Sequence, residues 1–203
     1  MADLRLTRLV VGGMENNCWF LHPADGSPGL LIDAAAVPER ILAELGGRGL
    51  ATVVTTHRHH DHIAALAEVV AATGAVACSG TPDADAIAEA TGVPQLPLWT
   101  GDEVVVGHDR LGVIGMVGHT PGSVTLVWTP SVGPVHLFTG DALFPGGVGN
   151  TSTPADFASL FRDVTGQLFG RFEDDTVVHP GHGRDTTLGA ERPHLDEWLA
   201  RGW

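Results

Sequence analysis

Thr56-His57-Arg58-His59-His60-Asp61-His62 contains the pattern H-x-H-x-D-H, whose three histidines and one aspartate are four candidate metal ligands. Residues typical of a β-strand precede this stretch, and a helical pattern follows it. Because alternate residues of an extended chain point to the same side, we expect His57 and His59 to bind one ion together. Asp61 and His62 lie where the chain turns into the helix and would face a neighbouring point. The stretch therefore predicts two metal ions rather than one.

The kinds of ligand in this motif restrict the metal. Imidazole and carboxylate groups with no thiolate nearby favour zinc first, and iron or manganese second. We therefore expect two divalent cations as cofactors.

Three later loops each place a histidine or an aspartate in a glycine-rich turn that follows a predicted strand. These loops are Gly118–Ser123, Thr139–Phe144 and His179–Gly183. Sites are commonly built from loops at strand ends on a rigid scaffold, and glycine lets the backbone approach closely there. We expect all of these loops to converge with the first motif at one edge of the fold, which adds His119, Asp141 and His182 to the candidate ligands.

The remaining histidines have a weaker claim to a metal. His60 points away from His59, and His179 precedes a proline and fits either a ligand or a packing role. Four others lack a ligand-like context and are predicted to be surface or packing residues: His22, His108, His136 and His194. Asp33, at the end of an early strand, fits either a turn or the support of a ligand histidine.

Strand-rich segments followed by helices in both halves of the chain predict an α+β fold of two β-sheets packed face to face with helices outside. The predicted strands are Leu4–Val11, Asn17–Leu21, Leu30–Ile32, Thr52–Thr55, Val76–Ser79, Glu103–Val106, Leu111–Met116, Val124–Trp128, Val135–Thr139 and Thr176–Val178. The predicted helices are Pro38–Leu45, Ile63–Ala72, Pro82–Ala90, Pro154–Phe169 and Glu191–Ala200. Trp99, Trp128, Trp198 and Trp203 are predicted to pack in the core.

Composition excludes several functions. The chain has 203 residues, with 24 acidic and 11 basic ones, so its formal net charge of −13 disfavours nucleic acid and anionic membrane surfaces as partners. It has no lysine and no tyrosine, which excludes a P-loop lysine, a Schiff-base lysine and a tyrosine acid. Charged residues near the start and the lack of a long apolar run predict a cytoplasmic protein. Cys18 and Cys78 are predicted to be buried.

These motifs resemble those of the metallo-β-lactamase superfamily, and most of all those of the glyoxalase II-like hydrolases. The resemblance is carried by Thr56–His62, Gly118–Ser123, Gly140–Phe144 and Pro180–Gly183. It implies an αββα sandwich, the metallo-β-lactamase fold, with a dinuclear metal site at one edge. It also implies that His57, His59 and His119 bind the first ion, that Asp61, His62 and His182 bind the second, and that Asp141 bridges both.

The chain departs from the family pattern at two points. Glyoxalase II proper has a C-terminal helical domain, whereas this chain ends soon after His182, so residues 1–203 are predicted to form a single domain without a separate substrate domain. Asn150 stands where the family usually has Arg or Lys, which weakens recognition of glutathione carboxylates. We assign Asn150 to substrate contact.

The first functional hypothesis is hydrolysis of a thioester or a related acyl bond in a small molecule. Two cations would lower the pKa of a shared, bridging water and supply the hydroxide that attacks the carbonyl carbon. Asp61 could also move a proton, besides acting as a ligand. The sequence specifies neither the thiol carrier nor the oligomeric state.

Three other functions stay open. Persulfide dioxygenases resemble the chain in the same motifs and use one iron, for which His57, His119 and Asp141 would be the ligands. Hydrolysis of a β-lactam or a lactone is the second alternative, although the missing tyrosine disfavours a lactonase. The third is a binding or structural protein whose metals brace loops, but such sites usually close their coordination with four protein ligands.

Overall fold

A computed structural model of the chain describes residues 4–202, and Trp203 lies outside them. The strands are β1 Leu4–Val11, β2 Asn16–Pro23, β3 Gly29–Ile32, β4 Leu50–Thr55, β5 Val76–Gly80, β6 Leu96–Leu98, β7 Glu103–Val106, β8 Asp109–Met116, β9 Ser123–Trp128, β10 His136–Gly140, β11 Leu143–Phe144, β12 Gly147–Val148, β13 Val177–Pro180 and β14 Thr186–Thr187. The α-helices are α1 Pro38–Leu45, α2 His60–Ile63, α3 Leu66–Thr73, α4 Thr81–Thr91, α5 Pro154–Asp163, α6 Leu188–Glu191 and α7 Leu195–Arg201.

The strands form two mixed sheets of six strands each and one short hairpin, β11–β12. The first sheet has the order β1-β2-β3-β4-β5-β6, with antiparallel pairs up to β3 and parallel pairs from β3 to β6. The second sheet has the order β14-β13-β10-β9-β8-β7, in which β10 and β13 are parallel and the other pairs antiparallel.

Apolar residues alternate along the strands between two layers. In β3, Leu30 and Ile32 belong to the cluster between the two sheets, whereas Leu31 belongs to the cluster under α1 and α3. A third cluster joins the second sheet to α5 and α7 through residues such as Leu160 and Trp198. Burying one such side chain contributes about 1.5–3 kcal/mol. The layers are helix, sheet, sheet and helix, which confirms the predicted α+β sandwich.

The directions of the strands bring the predicted loops to one edge. In the second sheet β8, β10 and β13 all run the same way, so the loops after them leave from the same side. In the first sheet β3 and β4 end at that edge, and β2 begins there because it runs opposite to β3. Backbone hydrogen bonds join the sheets at this edge, from Val124 N to Thr56 O at 2.8 Å and from Asn17 N to Gly181 O at 2.7 Å.

The predicted helices needed two corrections. Ile63–Ala72 is not one helix, because α2 stops at Ile63 and the backbone N–H of Ala65 donates to Ala34 O instead of continuing the helical pattern. Glu191–Ala200 is also wrong as one helix: a 3₁₀ turn over Arg192–His194, which contains Pro193, separates α6 from α7.

Other expectations agree with the structure in outline. The predicted helix Pro154–Phe169 forms, although its last part, Val164–Phe169, has the wider π-helical turn. Trp128 and Trp198 are buried, Trp99 is partly buried, and both cysteines are buried. No helix within residues 4–202 is long and apolar enough to cross a membrane.

Candidate metal centre

All seven candidate ligands lie together at the common edge of the two sheets. Among residues 4–202, these side chains form three sets, and within each set the ligand atoms lie within 4.8 Å of one another. These sets are His57 with His59 and His119, His57 with His62 and Asp141, and Asp61 with His62 and His182. We call the set of His57, His59 and His119 the first cluster, and the set of Asp61, His62 and His182 the second cluster.

Asp141 lies between the two clusters. Its Oδ2 atom is 3.6 Å from Nε2 of His119 in the first cluster and 3.6 Å from Nε2 of His182 in the second. Its Oδ1 atom is buried without a hydrogen-bond partner and lies 3.4 Å from Nε2 of His62. A carboxylate so placed can contact a cation in each cluster at once.

Hydrogen bonds fix the ring orientation of the histidines. The Nδ1 atoms of His119 and His182 lie 2.7 Å from Asn150 O and 2.9 Å from Met14 O. Because a carbonyl oxygen only accepts, both Nδ1 atoms carry a proton, and Nε2 turns its lone pair to the cluster. Histidines that bind metals are commonly held through the other ring nitrogen in this way.

The gap between His57 and His119 fits a cation. Nδ1 of His57 lies 3.0 Å from the hydroxyl of Thr56, which itself donates to Asp33, so this hydroxyl accepts the Nδ1 proton of His57. The Nε2 atoms of His57 and His119 then face each other as lone pairs at 3.2 Å. Such a contact is repulsive unless a positive charge lies beside it, so the donor set suits a bound divalent cation.

The charges of the cluster favour the ligand forms of His57 and Asp141 but the protonated form of His62. Burial and then the neighbouring His62 and His119 hold the pKa of His57 well below its usual value, so His57 is neutral. Burial would raise the pKa of Asp141, but the nearby histidines, above all His62, keep it below its ordinary value. Burial would likewise lower the pKa of His62, but Asp33 and Asp141 outweigh it and raise the pKa to about 10. The proton on His62 and a cation at its Nε2 atom therefore compete.

Asp33 supports a ligand histidine, which is one of the two roles that the sequence suggested for it. It is 1% exposed, and its Oδ2 atom lies 2.8 Å from Nδ1 of His62 and accepts from the Thr56 hydroxyl at 2.8 Å. Its Oδ1 atom accepts from the backbone N–H of Thr56 at 2.7 Å. One buried carboxylate thus orients a histidine of each cluster, His62 directly and His57 through Thr56.

Sequence reasoning missed Asn16 at this site. Its Nδ2 atom donates to Asp61 Oδ2 at 2.8 Å and lies 3.4 Å from Nε2 of His182. In its neighbour Asn17, the Nδ2 atom donates to the backbone oxygens of Pro180 and Gly183, both at 2.9 Å. The signal that could have found them is a pair of amide side chains at the start of an otherwise apolar strand, where polar groups require partners.

Two glycines are required by close approach. Gly140 has φ of +50°, and a Cβ atom there would lie 2.5 Å from the Thr56 hydroxyl. A Cβ atom on Gly181 would overlap Oδ1 of Asp141 and lie 2.7 Å from a ring carbon of His62. The glycine-rich turns noted in the sequence therefore let the loops close around the ligand side chains.

The other histidines lie apart from the clusters. His60, His108 and His194 are exposed, and His22 is buried and stacks on Phe20. His136 and His179 form a separate pair, with Nδ1 of His136 2.9 Å from Nε2 of His179 and Nδ1 of His179 3.1 Å from Asp185. His179 is therefore a packing residue of β13 in this structure.

The predicted substrate residue Asn150 is exposed, and its backbone carbonyl accepts a hydrogen bond from Nδ1 of His119. A cavity of about 230 Å³ begins at the next residue, Thr151, and continues along the start of α5 to Phe157. Gly202 completes the lining, so the cavity adjoins Asn150 along the chain, and none of the seven candidate ligands lines it.

Comparisons with known proteins show the family of the chain. The model of the metallo-beta-lactamase superfamily matches residues 11–182. A hydroxyacylglutathione hydrolase of Anaeromyxobacter dehalogenans is 34% identical over 172 residues, which cover 84% of this chain and 62% of that protein. The hydroxyacylglutathione hydrolase GloC of Haemophilus influenzae is 25% identical over 201 residues, which cover 90% of this chain and 92% of that protein.

A solved structure provides a third comparison. The crystal structure of TTHA1623 in a di-iron-bound form superposes with a TM-score of 0.70 at 31% identity, covering 92% of this chain and 96% of that one. The chain spans less than two thirds of the length of the first curated relatives that it matches, at 62%, 62% and 51%.

Proposed function

Because the chain belongs to the metallo-beta-lactamase superfamily, we propose that it is a metal-dependent hydrolase that cleaves a thioester or a related acyl bond in a small molecule. The observation that carries this proposal is the meeting of two ligand clusters on either side of Asp141. All seven side chains belong to residues 57–182, and we propose that the chain acts as a single unit.

In this proposal the first cluster would hold one divalent cation, the second cluster would hold another, and Asp141 could contact both. Zinc is our first choice because the ligands are imidazole and carboxylate, and iron or manganese is the second. The di-iron relative supports a site for two cations. When bound, such cations would lower the pKa of a coordinated water and so make hydroxide available at neutral pH.

The protein side chains would hold the ions and move the proton. Asp61 is partly exposed at the edge of the second cluster, and its Oδ2 atom lies 3.2 Å from Nε2 of His182. Burial would raise the pKa of Asp61, but the hydrogen bond from Asn16 helps to keep it below its usual value. We propose that this carboxylate, besides holding a cation, accepts and returns a proton during hydrolysis.

A cysteine nucleophile does not fit the chain. Burial raises the pKa of Cys18 to about 12 and that of Cys78 to about 11, so neither thiol ionises near neutral pH. This supports a mechanism in which activated water attacks the acyl carbon directly.

The thioester class is supported by the relatives named hydroxyacylglutathione hydrolase. We propose that a part of the substrate remote from the reacting carbonyl occupies the cavity beside Thr151, and that Asn150, the preceding residue, contacts the substrate. Because Asn150 is not basic, a thiol carrier without carboxylates also fits the proposal. A net charge of −13 further supports a small molecule rather than nucleic acid, and we keep the proposal of a cytoplasmic protein.

A substrate panel tests the reaction class. We expect the metal-loaded protein to hydrolyse a lactoyl thioester, offered both on glutathione and on a thiol carrier without carboxylates, with a kcat/KM of at least about 10⁴ M⁻¹s⁻¹, the lower end of the range for enzymes. The matched control is the oxygen ester of the same acyl group, together with a lactone and a β-lactam, which we expect to react at least about 100-fold more slowly. A faster β-lactam or lactone would contradict the thioester assignment.

A persulfide in the same panel tests the oxygenase alternative. We expect no oxygen uptake with this compound, because the second cluster supplies a further set of ligands that a mononuclear iron site would not need. Oxygen consumption with release of sulfite would replace hydrolysis by oxidation as the function.

A further inference from the structure

A buried carboxylate behind the first cluster belongs to neither ligand cluster. Asp83 lies in the first turn of α4, and its side chain is 0% exposed. Burying a carboxylate costs free energy unless hydrogen bonds or charges compensate for the lost water. Its contacts lead to the two loops that carry His57, His59 and His119.

One oxygen of Asp83 joins these two loops. Its Oδ2 atom accepts from the hydroxyl of Thr120 at 2.6 Å and from the backbone N–H of Arg58 at 3.1 Å. Thr120 directly follows His119, and Arg58 lies between His57 and His59. The other oxygen, Oδ1, faces Nε of Arg58 at 3.7 Å.

The loops are packed tightly against Asp83. A Cβ atom on Gly122 would overlap the Asp83 backbone and lie 2.9 Å from its Cβ and Cγ atoms. Thr120 and Ser123 are both nearly buried, and their hydroxyl oxygens are 2.7 Å apart. The start of α4 and the loop of His119 are therefore in close contact, and Asp83 Oδ2 links both to the backbone N–H of Arg58.

The hydrogen bond between Asp83 and Arg58 N matters most for His59. Its ring makes no hydrogen bond with any other side chain or backbone group within residues 4–202, unlike the rings of His57 and His119. Its position relative to those two rings depends on the backbone around Arg58. The hydrogen bond from Arg58 N to Asp83 fixes that backbone.

We propose that Asp83 is a positioning residue for the first cluster, which holds His57, His59 and His119 at the separation that one divalent cation requires. This rests on the proposed function, because it takes the first cluster as a cation site. Asp83 acts through Arg58 and Thr120 and touches neither substrate nor cation. Partners that orient metal ligands commonly change metal affinity 10- to 100-fold when removed.

Zinc titration of the metal-free protein by calorimetry tests this role. We expect wild type to bind two cations, and Asp83→Ala to weaken one binding step by about 10- to 100-fold while the other step stays unchanged. Asp83→Asn should lie between them, since its amide oxygen can still accept from Thr120 or Arg58. The visible spectrum of bound Co²⁺ should change for the weakened site, a signature that a loss of stability alone would not produce.

Glu191→Ala is the matched control. Glu191 is also a buried carboxylate that joins two segments, through Gly146 N at 2.8 Å and the Thr186 hydroxyl at 2.6 Å, and it does not contact the first cluster. We expect Glu191→Ala to lose stability and to keep tight binding at the first cluster. An equal loss of cation affinity in Asp83→Ala and Glu191→Ala would overturn the proposal.

Thr120→Val decides the matter if Asp83→Ala does not fold. It removes one of the two hydrogen bonds to Oδ2 with little change in volume, and we expect it to weaken the same step by a smaller factor. Wild-type affinity in the folded Asp83 or Thr120 variants would overturn the positioning role alone. A wild-type protein that binds no cation pair would overturn the proposed function first.

Discussion

Replacing Asp141 with alanine is expected to lower kcat for thioester hydrolysis by at least about 10³-fold, which equals about 4 kcal/mol of transition-state stabilisation. The reason is its position, with Oδ2 3.6 Å from His119 and from His182 and Oδ1 3.4 Å from His62. Without this carboxylate the two clusters lose their common negative charge, and at least one cation should bind more weakly. Steady-state kinetics and metal content, measured on the same preparation, check both effects.

Asp185→Ala is the control for this change. Asp185 is also a carboxylate beside a histidine, 3.1 Å from His179, but it lies outside the three sets of ligand atoms. We expect it to keep its cations and its activity. If Asp141→Ala retains more than a tenth of wild-type kcat, Asp141 does not hold the cations that drive the reaction.

Replacing Asp33 with alanine is expected to reduce the free energy of unfolding by about 3–5 kcal/mol, since it removes one partner of a buried charged pair. The change leaves the Nδ1 atom of His62 and the N–H of Thr56 without their acceptor. Asp33 also has φ of +61°, a conformation that alanine adopts less readily than aspartate or asparagine. Urea denaturation of the metal-free protein measures the loss without a contribution from bound cations.

Asp33→Asn separates the backbone from the charge. Asparagine tolerates the left-handed conformation and keeps one oxygen as an acceptor, so we expect a smaller loss of about 1–3 kcal/mol. Equal stability of the alanine variant and wild type would mean that the buried contacts of Asp33 contribute nothing to the fold.

The longer strands were predictable where a periodic pattern or an apolar run between turn residues marked them, but their order in the sheets was not predicted. Leu30, Leu31 and Ile32 lie in a short apolar run bounded by turn residues, and their side chains alternate between two apolar layers. The short strands β6, β11, β12 and β14 were missed because two or three residues carry no measurable period. The break between α2 and α3 was missed because the residues there are helix-forming alanines, and a contact with distant Ala34 interrupts the helix.

The candidate ligands were predictable for a different reason. Histidine and aspartate at strand ends stand out by residue type and spacing, and parallel strand directions bring them to one edge. Supporting residues such as Asn16 and Asp83 have no such spacing, because their partners lie 45 and 37 residues away in Asp61 and Thr120. The backbone carbonyls of Met14 and Asn150 that orient two histidines leave no trace in residue type.

The most direct test of the dinuclear centre is metal quantification by inductively coupled plasma mass spectrometry. It is combined with an assay of thioester hydrolysis before and after the metal is removed by a chelator. We expect two divalent cations per chain, loss of hydrolysis when they are removed, and recovery when two equivalents of zinc are returned. Full activity in the metal-free protein, or a chain that takes up no cation, would contradict the assignment of this sheet edge as a metal centre.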